Sequence, residues 1–279
     1  MRAISAWSAV LGVMALGLGF SSPARANGRF PESQRLLEHP SDPNRLYLAA
    51  TYGLLVTPDR GQNWYSICEQ AFAGEYLEGD PFLEVLGDGS LISGINVNLN
   101  VSRNCGCGWQ TTLAADAMER VTDVTVDASG KLLAIVRDLG TGVARVRVHE
   151  STDGGQTWTV LANLPDAIND AYTIDVAPSD PMRLYITAVT GMPQNPALML
   201  TSMDRGKTWT EAQIPGTSNG IPPFIAAVHP TNPDRIFVRT DDWDGSGDYT
   251  AQDALLQSTD GGKTWTVTYD LTYRRRPKP

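Results

Sequence analysis

The sequence has little of what most catalytic schemes require. It holds three histidines and three cysteines in 279 residues. No Gly-rich loop follows a strand and opens a helix, which excludes the common phosphate-binding motifs. After residue 26 no apolar run is long enough to span a bilayer, and no segment carries a sustained helical period. Basic residues are also scarce, with 22 Lys and Arg against 31 Asp and Glu. That balance argues against nucleic acid or anionic lipid as a partner. The cluster Arg274-Arg275-Arg276 with Lys278 is a short solvated tail, assigned to residues 271–279.

The N-terminus reads as an export signal. Arg2 gives a positive start, Ala9 to Phe20 is apolar or Gly, and Ala24-Arg25-Ala26 places small residues where a signal peptidase reads. Cleavage after Ala26 leaves 20 basic against 31 acidic residues. The expectation is a secreted or periplasmic chain, with the folded unit in 27–270. In that setting Cys68, Cys105 and Cys107 are disulfide candidates, and the expected bridge joins Cys68 to one of the other two. Cys105-Gly106-Cys107 lacks the second pair that a zinc site needs.

What the sequence does have is a repeat. Ser151-Thr-Asp153-Gly-Gly155-Gln-Thr-Trp158 returns as Ser258-Thr-Asp260-Gly-Gly262-Lys-Thr-Trp265. Ser202-Met-Asp204-Arg-Gly206-Lys-Thr-Trp209 and Thr57-Pro-Asp59-Arg-Gly61-Gln-Asn-Trp64 share the frame. A fifth copy, Ser102-Arg-Asn104-Cys-Gly106-Cys-Gly-Trp109, has Asn in place of Asp. The tryptophans are 45, 49, 51 and 56 residues apart, room for four short strands each. The Asp or Asn side chain suits a tight turn, Gly permits positive φ at the reversal, and Trp opens the next strand with a large apolar ring.

A second motif precedes three of the boxes: His39-Pro-Ser-Asp-Pro-Asn-Arg-Leu-Tyr47, Ala177-Pro-Ser-Asp-Pro-Met-Arg-Leu-Tyr185 and His229-Pro-Thr-Asn-Pro-Asp-Arg-Ile-Phe237. Each reads as strand, Pro-rich turn, strand. Gly87-Asp88-Gly89 and Asp127-Ala-Ser-Gly130 make the same turn in the second and third repeats. In the fifth repeat the predicted strands are Phe224–Val228, Arg235–Arg239, Ala254–Gln257 and Thr264–Tyr269. His39 and His229 occupy equivalent turn positions, which marks them as scaffold rather than members of a Ser-His-Asp triad with His149.

These motifs resemble the Asp-box (BNR) repeat superfamily, which includes sialidases, sortilin-type receptor ectodomains and photosystem II assembly factors. The resemblance spans about residues 33–270. It implies an all-β fold, a β-propeller of about five four-stranded blades with each box between the third and fourth strands, away from the active face. Such boxes identify architecture rather than chemistry. Relatives usually carry six or more blades, so closure of a five-blade ring is an open point, and an open ring would expose edges for self-association. A sialidase needs three arginines, a Tyr nucleophile with a Glu partner and an acidic proton donor. Gly28-Arg29-Phe30-Pro31 keeps only part of the expected first-strand signature, and no Glu follows Glu211 to partner Tyr269 or Tyr273. Arg137, Arg183, Arg235 and Arg239 are the arginines that could converge. The expectation is a non-catalytic propeller binding a protein, peptide or glycan through its loops, with Trp243 and Tyr249 as suitable contacts; a sialidase-like, exo-acting glycoside hydrolase is the alternative.

One loop has the composition of a cation site. Asp242, Asp244, Ser246, Asp248, Thr250 and Asp253 fall at positions 1, 3, 5, 7, 9 and 12, with Gly247 at 6, as calcium-binding loops require. Calcium is the expected ion. Thermal melting in millimolar Ca²⁺ is expected to exceed that in EDTA; equal midpoints would exclude the site.

Overall fold

A computed structural model of the chain describes residues 33–67, 70–73, 80–95, 98–114, 119–140, 145–191, 195–240 and 252–272. The expected signal segment, the C-terminal tail, Cys68 and the calcium-loop residues 242–250 lie outside these. The side chain of Asp253 does too.

Twenty strands form five four-stranded antiparallel sheets, each a meander in chain order. Blade 1 is Ser33–His39, Asp42–Ala50, Gly53–Thr57 and Tyr65–Ile67 (β1–β4). Blade 2 is Phe82–Val85, Leu91–Ile95, Asn98–Ser102 and Gln110–Ala114 (β5–β8). Blade 3 is Glu119–Val126, Leu132–Asp138, Arg145–Ser151 and Thr159–Asn163 (β9–β12). Blade 4 is Ile168–Ala177, Asp180–Thr190, Leu198–Ser202 and Thr210–Gln213 (β13–β16). Blade 5 is Pro223–Val228, Ile236–Thr240, Gln252–Ser258 and Thr266–Thr272 (β17–β20). The fifth-repeat strands fall within a few residues of those predicted, and the last runs two residues past the expected boundary. One helical turn, Gln70–Ala73, stands between blades 1 and 2.

The first strand of every blade lines a common central cavity. This is a five-bladed β-propeller, and its boxes sit between third and fourth strands as the resemblance implied.

All five boxes share one hydrogen-bond pattern. The Ser or Thr hydroxyl donates to the Asp or Asn Oδ1 at 2.8–2.9 Å and accepts from the box Gly N–H at 2.7–2.9 Å. The same Oδ1 accepts a backbone N–H four residues on, at 2.8–2.9 Å. Asn104 therefore substitutes for Asp without loss of the turn. Side-chain hydrogen bonds from Thr157 and Thr264 hold the Asp153 and Asp260 carboxyls well below the usual carboxylate range.

The box also joins blades. A Cβ on Gly155 would lie 3.1 Å from Val101 and 3.2 Å from Ile92 of blade 2. Gly106 faces Ile67, Gly206 faces Ala162 and Gly262 faces Met199, each a residue of the preceding blade. Trp109, Trp158, Trp209 and Trp265 pack against the four apolar cores of the 1–2, 2–3, 3–4 and 4–5 interfaces. Trp64 belongs to none of these cores and is 39% exposed.

The His-Pro turns are scaffold, as predicted: His39 Nδ1 accepts from Ser41 N–H and His229 Nδ1 from Thr231 and Asn232 N–H. His149 is pushed down to about 4, first by burial and then by Arg147.

Gly155 and Gly130 separate the two roles of glycine. Both have positive φ, 82° and 84°, but a Cβ on Gly130 meets nothing within 4 Å. Gly130→Ala is expected to cost roughly 1–3 kcal/mol from backbone strain alone, and Gly155→Ala a further ~1–3 kcal/mol from overpacking between blades. Urea denaturation of the two variants measures the difference, and equal losses would exclude the docking role.

Candidate functional site

The first strands meet around a cavity of about 440 Å³. A propeller axis is a natural place for polar groups, because inner strands from different blades converge there without interdigitating like the apolar interfaces. Here four first strands each bring one charged residue: Arg35 in β1, Glu84 in β5, Asp123 in β9 and Asp175 in β13.

Arg35 Nη2 lies 2.5 Å from Glu84 Oε1, joining blades 1 and 2, and 3.8 Å from Asp175 Oδ1, reaching across to blade 4. Asp123 Oδ2 accepts the Ile174 N–H at 2.9 Å, and Thr125 donates to Asp175 at 3.2 Å. Thr173 accepts the Ile225 N–H at 2.9 Å, tying blade 4 to blade 5. Three carboxyl groups thus share one guanidinium. Burial pushes Glu84 up to about 8 and Asp123 up to about 7, with Arg35 pulling against it in both cases. Burial raises Asp175 as well. Near neutral pH the axis therefore holds protons, and its charge is closer to balanced than four ionised groups would be.

Away from the boxes the cavity opens on a second constellation. Tyr172 and Phe224 are tilted with ring centroids 5.7 Å apart, and the Arg239 guanidinium lies 4.6 Å over the Phe224 ring. The Tyr172 hydroxyl donates to Asn219 at 2.8 Å. Arg239 donates to Gln34, whose amide donates to Asp80 at 3.1 Å. At the same end of blades 3 and 4, opposite the boxes, Arg137 pairs with Asp170 at 2.5 Å, and Arg147 bridges Glu119 and Asp138 at 2.8 and 3.1 Å. Two aromatic faces, one shared cation and three amide or carboxyl groups stand together at a half-open rim.

The four arginines named from sequence do not gather. Arg239 lines this mouth, and Arg137 is held by Asp170 at the same end of the blades. Arg183 binds Asp180 and Asp234 at the box end, and Arg235 lies over Phe237 at 5.3 Å. Cys105 and Cys107 are both free and exposed, with Cys105 Sγ accepting from Arg45 at 3.4 Å. Among the described residues no group of three or more His, Cys, Asp or Glu could hold a metal ion.

None of the axial residues was singled out from sequence. The available signal was a charged residue inside an otherwise apolar first strand, as in Phe82-Leu-Glu-Val85 and Ile174-Asp-Val176.

Comparison with known proteins matches the fold. A family model described as sortilin-Vps10 (sortilin, neurotensin receptor 3) matches residues 146–274, from the third strand of blade 3 onward. No curated protein matches the sequence. Among solved structures, a Niastella koreensis GH74 enzyme aligns with TM-score 0.60 and 21% identity over 84% of this chain and 38% of its own. The Hadza microbial sialidase Hz136 aligns with TM-score 0.56 and 14% identity over 88% of this chain and 58% of its own. A Trypanosoma rangeli sialidase in complex with 2,3-difluorosialic acid aligns with TM-score 0.53 and 14% identity over 83% and 46%. This chain thus spans between 38% and 58% of those structures, and at these identities the likeness is one of fold.

The axial carboxyls fix a pH dependence. Their folded-state affinity for protons is raised, so their contribution is fully present below the unfolded range near 4 and is lost as pH rises towards about 8. The box aspartates act oppositely, adding stability above about pH 4 that is lost on acidification. The melting temperature is expected to peak in mild acid and fall by several degrees towards pH 8.5. Glu84→Gln should flatten that fall. A melting temperature that rises from pH 5 to pH 8.5 would contradict the assignment.

Proposed function

We propose, on the premise that this chain is a propeller of the Asp-box (BNR) superfamily, that it is an exported binding protein that takes a glycan at the mouth of its central cavity. The observation that carries this reading is the rim of Tyr172 and Phe224 beside Arg239, Gln34, Asp80 and Asn219. Sugar rings present apolar C–H faces and hydroxyls that both donate and accept. Aromatic faces suit the first, and amide, carboxylate and guanidinium groups suit the second. A concave, partly apolar site with a few fixed polar groups is the usual form of a small-ligand pocket.

The mouth is supported from below. Inner-strand hydrogen bonds between blades 3, 4 and 5 hold β13 and β17, which carry Tyr172 and Phe224. The strands that carry both rings are therefore fixed by hydrogen bonds between blades rather than by loops, and the step left for binding is movement of Arg239 off the Phe224 ring. Export is the expectation from the N-terminal segment, Arg2 to Ala26.

A second reading, glycoside hydrolysis, rests on the axial carboxyls. Glu84 and Asp123 are raised to about 8 and about 7, and a protonated carboxyl near an ionised one is the starting state of general acid catalysis. Against it, Arg35 already occupies Glu84, and Arg183 and Arg235 are remote from the mouth.

Glycan-array screening followed by titration calorimetry tests both. Tyr172→Ala and Phe224→Ala are expected to weaken the best glycan at least about tenfold, the scale of one lost aromatic contact, with the glycan recovered intact. Absence of glycan binding would overturn the first reading, and release of free sugar that Glu84→Gln abolishes would favour the second.

A further inference from the structure

Five blades have five seams, and the seam between blade 5 and blade 1 is built unlike the others. Four apolar cores span the 1–2, 2–3, 3–4 and 4–5 interfaces. Among the described residues none joins blade 5 to blade 1, where the contact is the Arg239–Gln34 bridge near the cavity mouth.

The two faces bordering that seam nevertheless have the composition of an interface. In blade 4 the cross-strand row Ile174, Ile186 and Leu200 packs on blade 3, each at 0% exposure. The matching row of blade 1, counted from the same Pro turn and box, is Leu36, Leu48 and Leu55. Leu36 is 58% exposed, and Leu48 and Leu55 are only half-buried. On its other face blade 4 presents Tyr185 and Met199 to blade 5, both at 0% exposure. Their counterparts in blade 5 are Phe237 and Leu255, both half-buried.

The box of blade 1 repeats the pattern. Gly106, Gly155, Gly206 and Gly262 each dock on the blade before, whereas the three atoms nearest a Cβ on Gly61 all belong to Trp64 of its own turn. Trp64 is likewise the box tryptophan outside the four cores. The polar contacts are prepared too. Arg183 reaches Asp234 of the next blade, and Arg45 reaches Cys105 of its next blade. Arg235 holds the equivalent place in blade 5. The residue of blade 1 equivalent to Asp234 is Asn44, a side chain that can accept from a guanidinium.

We infer that the blade-1 face, centred on Leu36, Leu48 and Trp64, docks a second copy of this chain through its blade-5 face, centred on Phe237 and Leu255. The choice of occupant follows from the repeat. The blade-5 face is the one whose counterparts in blades 1 to 4 fill the corresponding surface of the next blade, so a copy of this chain already carries the matching half. Exposed Glu38, two residues from Leu36 in β1, adds a carboxylate that can pair with Arg235 beside Asn44, which gives the joint its charge sense. Each copy has one half of each kind. Two copies related by a two-fold axis therefore make two such joints and leave neither face open. Docking replaces the bridge between Arg239 and Gln34 with apolar burial of the kind found at the other seams.

Size-exclusion chromatography with light scattering on the full exported chain tests this. A concentration-dependent species of twice the chain mass is expected. Leu36→Glu and Phe237→Asp should each be monomeric with an unchanged circular dichroism spectrum, since both sites border solvent. Mixing the two variants should restore the doubled mass, because each retains the face the other has lost; this also shows that both are folded. Tyr65→Ser, on the outer strand β4, should leave assembly intact. A wild-type chain that stays monomeric at all soluble concentrations would overturn the inference. So would a dimer that survives both seam substitutions and is lost with Tyr65→Ser, which would assign assembly to outer-edge pairing.

Discussion

The docking of four of the five Asp-box turns on the blade before them is the constraint on which the rest of the structure depends. A four-stranded meander cannot bury both faces alone, and a repeat fold gains its core only where neighbours meet. The box makes that meeting specific. Asp or Asn locks the hairpin, the hydroxyl before it holds the Gly N–H, and the Gly leaves room for the side chain of the preceding blade. The Trp then adds its ring to the edge of the interface core. Full burial of an aromatic of this size contributes on the order of 2–3 kcal/mol, and these half-buried tryptophans each gain a part of that at four seams. Turn geometry and interblade packing are one device, so a change in the turn is transmitted to the core.

This unity explains which features were legible in the sequence. The boxes repeat in register because the same backbone problem recurs every blade, and the His-Pro and Gly-Asp-Gly turns repeat for the same reason. Strand count, the place of the boxes and the scaffold role of His39 and His229 followed directly. The axial network was not legible, because it does not repeat. Arg35, Glu84, Asp123 and Asp175 stand at different offsets within their strands and meet across separations of tens of residues. A lone charge in an apolar strand gives no sign of whether it faces an axis or solvent. The unmatched seam was hidden for the opposite reason. Trp64 and Leu36 look like their counterparts in the other repeats, and only the fold shows that the blade they should touch is not packed against them.

The axis shows a different energetic logic from the seams. Shared burial pushes Glu84 and Asp123 towards their neutral forms despite Arg35. Replacing such a cluster by apolar side chains is often neutral or stabilising. Its presence at the floor of a cavity whose rim is aromatic and polar is therefore better read as a cost borne for the site than as a source of stability. The backbone staples Asp123 to Ile174 and Thr173 to Ile225 serve both ends. They hold the inner strands together and set the rings of Tyr172 and Phe224 above them.

Gln34 and Arg239 connect these two regions. Their bridge crosses the seam between blades 5 and 1, and Arg239 also covers the Phe224 ring at the mouth. Any event that separates β1 from β18, such as entry of a second copy, breaks the bridge and frees the Arg239 side chain to move relative to Phe224. Conversely, a ligand that engages Arg239 at the rim competes with the bridge that keeps the seam together. Occupancy of the mouth and assembly through the seam are then coupled by one side chain, and such coupling is reciprocal: whatever free energy assembly adds to or removes from binding, binding returns to assembly. The sign depends on whether Arg239 serves the ligand better when bound to Gln34 or when released. Its present position argues for release, because the guanidinium that lies on Phe224 covers the aromatic face a sugar ring would use.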